Sequence, residues 1–399
     1  MKMNQLKKKM IPLAMAMALV ATGFAGNLAV QKTAYAEETP KTLIIKKVLT
    51  MPSEGVATPN ETFSFEFTKV SFNGKAADKE TCPTISNIST AYTAADDADG
   101  DSAKEGKQVI KSTSDILNVI TWTKAGQYVY NVKEVSPNPG KAGMEYSKAS
   151  YTLSIIVASE GGSLKVKYVG IKKDKEDNGN INRSATKTEY TPDDPSGSGN
   201  NFVFENKYFP KKGNDTPDTG EVTQEDKNGL AISKKVAGEN TSNTQPFKFT
   251  MKIDKPEGLA DGQTYTYIVT TKGGTKLPAT ETTAQYGQDQ EITLTHGDKV
   301  VLKSVHMGAK ASVTEIDAAG YTPSVIVNCN GTSVPKTETN KAENIILGDK
   351  TSGNSIEFTN TQQTPTGVII DNLPFIILVA IAGMGILFFV RNKRRAEEF

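Results

Sequence analysis

Six polar residues stand out because each continues an apolar series along a predicted strand. Side chains alternate between the two faces of a strand, so a residue two places after an inward apolar residue also points inward. The six form two sets, each with one Lys, one Glu and one Asn: Lys47, Glu134 and Asn206, then Lys234, Glu315 and Asn360. Each set therefore predicts three polar side chains inside one apolar core.

A buried Lys beside a buried Glu and an Asn can form an amide crosslink without a cofactor. Isolated buried charges are costly, so burial favours the neutral forms, and the pKa of a buried Lys falls by several units from ~10.4. A neutral amine is a nucleophile. A protonated Glu can hydrogen-bond the Asn carbonyl and shuttle protons as ammonia leaves. The predicted product is a Lys–Asn isopeptide bond, with the two Glu residues in the catalytic role.

Strand phase leaves alternatives open for both lysines. Ile44 and Val48 are apolar as well, so Lys46 is an alternative to Lys47. Lys235 is a weaker alternative to Lys234. Any one such residue is more often solvated than reactive. The repetition of the whole set favours the reactive interpretation.

The surrounding elements are predicted to be strands. Runs of about five to eight residues rich in Val, Ile, Thr, Tyr and Phe are broken by Gly, Asn, Asp and Pro, a pattern typical of all-β sandwiches. A stretch rich in Pro, Gly and Asp, from Pro210 to Gly220, divides them. The pieces on either side repeat one plan. The fold prediction is two tandem Ig-like β-sandwich domains, each with its Lys near the start and its Asn at the end.

The N-terminus has the features of an export signal. A basic start that includes Lys2 precedes an apolar stretch from Ile11 to about Val30, and the small-residue site Ala34-Tyr35-Ala36 follows. This pattern predicts a signal peptide cleaved after that site, so that the mature protein begins near Glu37.

The C-terminus combines a short motif, an apolar run and a basic cluster. Gln363-Thr364-Pro365-Thr366-Gly367 precedes an apolar run from Leu373 to Val390, and basic residues occupy most of 391–395. The run is about long enough to cross a bilayer, which takes ~20 residues. The basic cluster would keep its end in the cytoplasm.

This order resembles the cell-wall sorting signal of sortase substrates. The resemblance implies that a sortase cysteine attacks the Thr366 carbonyl, releases the chain from Gly367 onward and transfers Thr366 to an amine. The residue before Pro365 is Thr364 instead of the usual Leu, which resembles the variant of some two-domain pilins. That difference leaves the class of sortase open.

The two Lys, Glu and Asn sets resemble the streptococcal pilin isopeptide-linkage family, in the Lys near the start, the Glu after an aromatic or Val-rich strand and the Phe-x-Asn ending. The resemblance implies a Gram-positive major (backbone) pilin, with two Ig-like domains whose internal bonds form without a helper enzyme. The predicted partners are a sortase, identical pilin subunits, cell-wall peptidoglycan and host ligands. The predicted location is the cell wall at the cell surface.

Composition argues against several other classes. The formal net charge is +1 and no basic stripe exceeds the acidic residues, so nucleic-acid binding is not expected. Cys82 and Cys329 are expected in separate domains, without a disulfide framework. His296 and His306 lie in no metal-like cluster and beside no candidate nucleophile, so no metal site, cofactor or enzyme is predicted.

A sortase-built fibre also needs an acceptor lysine on each subunit, and Lys211 is the first candidate. Tyr208-Phe209-Pro210-Lys211-Lys212 resembles the Tyr-Pro-Lys-Asn element of many pilins, with Phe for Tyr and Lys for Asn. Lys212 and Lys187 are the alternatives, and a charged linker with no special role is as good an interpretation.

The predicted boundaries and function follow from these features. The leading hypothesis is a repeating pilus subunit; the alternatives are a wall-anchored monomer, a basal or adhesive pilin that uses the same domains as a stalk, and, last, a surface hydrolase. The predicted segments are a signal peptide at 1–36, a first domain at 37–209, a linker at 210–222, a second domain at 223–362 and a sorting signal at 363–399.

Overall fold

The computed structural model places Pro40–Phe399 in one compact unit. The predicted signal peptide lies outside the described residues. The structure describes residues 42–77, 82–86, 88–99, 101–103, 106–192, 202–213, 229–238, 241–271, 281–316, 318, 320–337, 339–349, 354–362 and 365–396.

Residues 42–208, called the N-terminal half, are built from strands and two short 3-10 helices, Ala94–Asp99 and Ile116–Val119. The strands are β1 Lys46–Met51, β2 Glu61–Phe72, β3 Lys75–Ala76, β4 Ile88–Tyr92, β5 Asp101–Ala103, β6 Gly106–Ser112, β7 Gly126–Val135, β8 Met144–Glu145, β9 Ser150–Glu160, β10 Ser163–Lys175, β11 Thr188–Glu189 and β12 Val203–Tyr208.

Residues 211–362, called the C-terminal half, are also built from strands. These are β13 Lys211–Lys212, β14 Leu230–Ala237, β15 Phe247–Asp254, β16 Thr264–Thr270, β17 Thr282–Gln285, β18 Asp289–Leu294, β19 Lys299–His306, β20 Lys310–Glu315, β21 Tyr321–Cys329, β22 Thr332–Thr337, β23 Lys341–Ile346 and β24 Ser355–Gln362.

Each half packs two sheets face to face. Within the described residues, the N-terminal half has the sheet β5-β6-β1-β12-β8 and the sheet β11-β10-β9-β7-β2-β3, with β4 also on β2. The C-terminal half has β17-β16-β19-β14-β24-β21-β22, with β13 on β19, and β18-β15-β20-β23. Aromatic rings meet between the sheets, with ring centroids 5.0 Å apart for Phe65 and Phe204 and 5.2 Å apart for Phe249 and Phe358. The all-β prediction is confirmed, whereas the number of Ig-like domains stays a prediction.

The first and last long strands of each half lie side by side and run parallel. β1 pairs with β12 so that Lys47 is opposite Phe204, and β14 pairs with β24 so that Lys234 is opposite Phe358. Each Asn stands two residues after that Phe, on the same face. The fold therefore brings the opening and closing strands of a half into direct contact.

The residues just before the opening strand β1 are held by side-chain hydrogen bonds. The side chains of Asp115 and Thr113 accept hydrogen bonds from the Leu43 and Ile45 N–H groups. Both Leu43 and Ile45 are still fully buried, so the alternation that aims Lys47 inward is kept.

The two halves also contact each other. The Asp349 carboxylate accepts a hydrogen bond from the Ala57 N–H at 3.2 Å. The Asp349 N–H in turn donates to the Gly55 carbonyl at 2.8 Å. A loop of the N-terminal half is thus held on the C-terminal half.

The helix α1, Pro365–Ala396, follows the last strand. In the part of the chain that the structure describes, no helix meets the length and hydropathy needed to cross a membrane. The membrane span of the sorting signal therefore stays a prediction. Cys82 and Cys329 are both buried, and neither is in a disulfide in the described structure.

Candidate functional site

The first set of predicted residues meets in the core of the N-terminal half. Lys47 on β1 donates from Nζ to Glu134 Oε2 at 2.6 Å, and Asn206 on β12 donates from Nδ2 to Glu134 Oε1 at 2.7 Å. Lys47 and Asn206 come from one sheet and Glu134, on β7, comes from the other. The side chains of Lys47 and Glu134 have no solvent-accessible surface. One carboxylate therefore joins the amine and the amide in a dry site.

The second set forms a similar cluster in the C-terminal half. Lys234 on β14 donates from Nζ to Glu315 Oε1 at 2.7 Å, and Asn360 on β24 donates from Nδ2 to the same oxygen at 2.8 Å. Glu315 is on β20, in the facing sheet. The buried atoms Glu315 Oε2 and Asn360 Oδ1 have no hydrogen-bond partner among the described residues.

The two clusters occupy equivalent positions in the strand register. Glu134 is opposite Phe65 on β2, and Glu315 is opposite Phe249 on β15. Together with the matching pairs of the opening and closing strands, this register shows that the halves repeat one arrangement.

Burial shifts the protonation equilibria in the direction that the crosslinking reaction needs. Desolvation lowers the pKa of Lys47 to about 8, although the Glu134 carboxylate opposes the shift. Desolvation also raises the pKa of Glu134 above its ordinary value, against the opposing effect of Lys47. In the second cluster, burial lowers the pKa of Lys234. Both lysines are thus closer to the neutral, nucleophilic form than a solvated lysine.

An aromatic ring contacts each lysine, which the sequence interpretation did not include. The Lys47 Nζ lies 4.7 Å from the ring centroid of Phe63, and the Lys234 Nζ lies 4.3 Å from that of Phe247. A ring face stabilises the charged ammonium and excludes water. The available sequence signal was that each of these residues begins a Phe-x-Phe sequence, Phe63-Ser64-Phe65 or Phe247-Lys248-Phe249.

The first cluster has a further contact that the second lacks among the described residues. The Ser147 backbone N–H donates to Asn206 Oδ1 at 2.7 Å. Glu134 thus contacts the amide nitrogen of Asn206, whereas the sequence interpretation expected a Glu on the Asn carbonyl. No sequence signal points to Ser147, because it lies outside any strand.

The rival lysines differ from the predicted ones in burial. Lys46 is half-buried and Lys235 is exposed, whereas Lys47 and Lys234 are buried. The alternation along β1 and β14 accounts for this difference, because adjacent residues face opposite sides of a sheet.

The candidate acceptor lysines have different environments. Lys211 is exposed on β13, opposite His306, while Lys212 is half-buried. The Lys187 Nζ lies 5.4 Å from the ring centroid of Tyr168, and burial lowers its pKa. Of the predicted sortase residues, Thr366 and Gly367 fall at the start of α1.

The histidines have structural partners. The imidazole of buried His306 contacts the Tyr286 hydroxyl at 2.9 Å, and burial together with nearby Lys211 lowers its pKa to about 4. His296 Nδ1 accepts a hydrogen bond from the Val236 N–H. The described residues contain no cluster of three or more His, Cys, Asp or Glu side chains that could hold a metal ion.

Comparison with known proteins separates the two halves. Residues 43–209 match the family described as the Spy0128-like isopeptide containing domain. Residues 228–362 match a domain of unknown function, DUF7601.

A curated relative matches part of the chain. The chain is 30% identical over 172 residues to a pilin of Streptococcus pyogenes serotype M1. The match covers 42% of this chain and 49% of the relative, so the chain spans about half the length of that relative.

Solved structures give more distant likenesses. The major pilin from Streptococcus pyogenes is 20% identical, with a TM-score of 0.35 and coverage of 80% of this chain and 98% of that one. The T3.2 major pilin of the same species is 16% identical, with a TM-score of 0.33 and coverage of 81% and 98%. TM-scores this low assign neither fold nor function.

The pH dependence of linking at the first cluster tests the paired protonation states. If the cluster crosslinks, its reactive form holds one proton, with Lys47 neutral and Glu134 protonated. Lys47 and Glu134 share this one proton, and raising the pH through the Lys47 pKa of about 8 removes it from the pair. Lowering the pH adds a second proton, so that both groups are protonated and the amine is no longer a nucleophile. The rate should therefore have a maximum and decrease above pH ~8.

The measurement starts from chain kept unfolded in denaturant since synthesis. The chain is diluted into buffers of different pH and quenched with acid, and the linked Lys47–Asn206 peptide is quantified by mass spectrometry. A rate that continues to rise to pH ~10 would show that the amine alone controls the reaction.

Proposed function

We propose that this chain is a structural subunit of a surface pilus, and that each half crosslinks itself through one Lys–Asn isopeptide bond. The observation that supports this most directly is the pair of buried Lys–Glu–Asn clusters at the same strand register. The match of residues 43–209 to the Spy0128-like isopeptide containing domain supports it independently. The chain is then a self-crosslinking building block and does not turn over a substrate.

The proposed reaction in the first cluster is an aminolysis of the Asn206 side chain. A proton moves from Lys47 to Glu134, and the neutral Nζ attacks Cγ of Asn206. The Cγ–Nδ2 bond then breaks as Glu134 gives its proton to the departing nitrogen, and ammonia leaves. Glu134 takes up the second proton of Nζ, so that a neutral amide remains and the carboxyl ends protonated. Glu134 contacts both nitrogens, so it can take the proton from one and give it to the other.

The second cluster reacts in the same way after a small adjustment. A half-turn of the Asn360 amide would place Oδ1 against Glu315 Oε1. A proton on Glu315 would then satisfy a carbonyl oxygen that has no described partner in the present orientation. The Glu315 carboxyl would thus polarise the Asn360 carbonyl, as the sequence interpretation proposed.

The position of each bond suits a subunit that carries tension. Both bonds would join the opening strand of a half to its closing strand, which lie parallel and adjacent. Tension applied to the two ends of a half would pass through the covalent bond between its opening and closing strands. The other strands of that half would carry none of this force. Unlike a disulfide, the amide cannot be reduced.

Export, sorting and polymerisation complete the proposal. The signal peptide sends the chain out of the cell, and a sortase cleaves between Thr366 and Gly367. The Thr366 acyl group passes to Lys211 of another subunit or to an amine of the peptidoglycan. Lys211 and Lys187 are both exposed, and Lys211 is favoured because the residues around it resemble the Tyr-Pro-Lys-Asn element of pilins.

The two crosslinks should be visible as missing mass. The full chain folded in solution should weigh less than its sequence requires by about 34 Da, one ammonia for each bond. Glu134→Ala and Glu315→Ala should each restore about half of this difference. Intact-mass spectrometry with peptide mapping makes the measurement, and a folded chain at full mass would reject self-crosslinking.

Loss of the Lys47–Asn206 crosslink should lower the free energy of unfolding even when the Lys47–Glu134 ion pair is kept. Asn206→Ala keeps the Lys47–Glu134 pair but prevents linking. Closing a loop of ~100 residues stabilises by about 4.7 kcal/mol through loop-closure entropy, so the free energy of unfolding should fall by several kcal/mol. Thermal or denaturant unfolding tests this, with Asn360→Ala as the matched change in the other half. Equal stability of linked and unlinked chains would contradict the mechanical role.

The acceptor lysine can be identified in wall extracts of the native host bacterium. Lys211→Arg should abolish the ladder of high-mass covalent polymers, because Arg keeps the charge but is not an acylation nucleophile. Lys212→Arg and Lys187→Arg are the matched controls. A ladder that survives all three changes removes these candidates, and no ladder from the unmodified chain favours a wall-anchored monomer.

A further inference from the structure

The amide of Asn206 is held at both ends in the first cluster. Its Oδ1 accepts the Ser147 N–H at 2.7 Å, and its Nδ2 donates to Glu134 at 2.7 Å. Ser147 is 3% exposed and Asn206 is fully buried, so water does not compete for these bonds. A backbone N–H aimed at a carbonyl that is about to be attacked has the geometry of an oxyanion hole.

We propose that the Ser147 backbone N–H is the oxyanion-hole donor for the Lys47–Asn206 reaction, and that Asp177 positions it. This inference rests on the crosslinking function proposed above. As the bond from Lys47 Nζ to Asn206 Cγ forms, the carbonyl electron pair moves onto Oδ1, where the Ser147 N–H stabilises the charge. As the intermediate collapses, that pair re-forms the carbonyl, the Cγ–Nδ2 bond breaks, and ammonia leaves with the proton relayed by Glu134.

Asp177 ties the Ser147 segment to the closing strand. Its Oδ1 accepts hydrogen bonds from the Ser147 hydroxyl at 2.6 Å and from the Glu205 N–H at 2.8 Å. Its backbone carbonyl accepts the Lys148 N–H at 2.9 Å. Glu205 directly precedes Asn206, so a single carboxylate oxygen fixes the donor relative to its acceptor.

The Asp177 carboxylate is itself held in its charged form. The Lys173 Nζ donates to Oδ2 at 2.8 Å. Burial alone would raise the pKa of Asp177, but the hydrogen bonds from the Glu205 N–H, Lys173 and Ser147 lower it below its ordinary value. The acceptor is therefore available at neutral pH.

The second cluster provides an internal comparison. Asn360 Oδ1 is buried, and no described residue, by backbone N–H or by side chain, donates a hydrogen bond to it. Its linking should depend on Glu315 alone. A change at Ser147 or Asp177 should therefore affect one of the two crosslinks in the same molecule.

Four variants of the full chain test the inference, each refolded from denaturant and quenched at set times. Ser147→Pro removes the N–H and should slow Lys47–Asn206 linking about a hundredfold. Asp177→Ala frees the donor segment and should slow it about tenfold. Asp177→Asn, which keeps the acceptor oxygen, and Lys173→Met should stay within about twofold of the unmodified chain. Lys234–Asn360 linking should be unchanged throughout.

Fluorescence separates a misfolded half from a slow reaction. Trp122 is the chain's one Trp, and its ring lies 4.8 Å from that of Tyr128 in the N-terminal core. A Ser147→Pro chain with native Trp122 emission that links at the unmodified rate overturns the role of the N–H. If Ser147→Pro prevents folding, the Asp177 variants test the inference in its place. A rate of Lys47–Asn206 linking in Asp177→Ala equal to that of the unmodified chain overturns the inference.

Two further outcomes have distinct meanings. If Asp177→Asn is as slow as Asp177→Ala with native fluorescence, the charge of Asp177 matters and its positioning role is wrong. If neither pair links in the unmodified chain, the proposed crosslinking function itself fails, whatever the variants do.

Discussion

Burial of a lysine amine beside a carboxyl group is the interaction on which the rest of this structure depends. Lys47 and Glu134 have no contact with solvent, and neither do Lys234 and Glu315. Removing such charges from water costs several kcal/mol for each ion, and the attraction between them repays this only with good geometry. Strands that meet at a fixed register supply the geometry. Conversion of the amine and the Asn side chain into an amide would remove the charge altogether.

The parallel pairing of the opening and closing strands explains how residues so far apart in sequence reach one site. β1 and β12 are neighbours in one sheet, and Glu134 reaches them from the facing sheet. Non-local pairing of this kind has a large loop-closure cost. A covalent link between the two strands would remove most of that cost from every later refolding. The same reasoning holds for β14 and β24 in the C-terminal half.

The two clusters share residue types and register but differ in how the Asn carbonyl is held. In the first, the Asn206 oxygen is occupied by a backbone N–H. In the second, the Asn360 oxygen has no described partner, and both donors converge on one oxygen of Glu315. Repetition of a fold thus preserves the strand positions, while the loops beside them set the polarity around the reacting group.

By itself, the sequence determined the all-β class and the inward-facing residues, because alternation along a strand depends only on local geometry. The alternation that begins at Phe202 and Phe204 predicted that Asn206 faces inward. Lys46 and Lys47 stayed alternatives, because apolar residues precede and follow them on both faces of the strand. Only the tertiary structure showed which of those lysines is buried and brought Ser147 onto Asn206. Alternation specifies a face, whereas contact across the core depends on how two sheets pack and where a loop between distant strands is anchored.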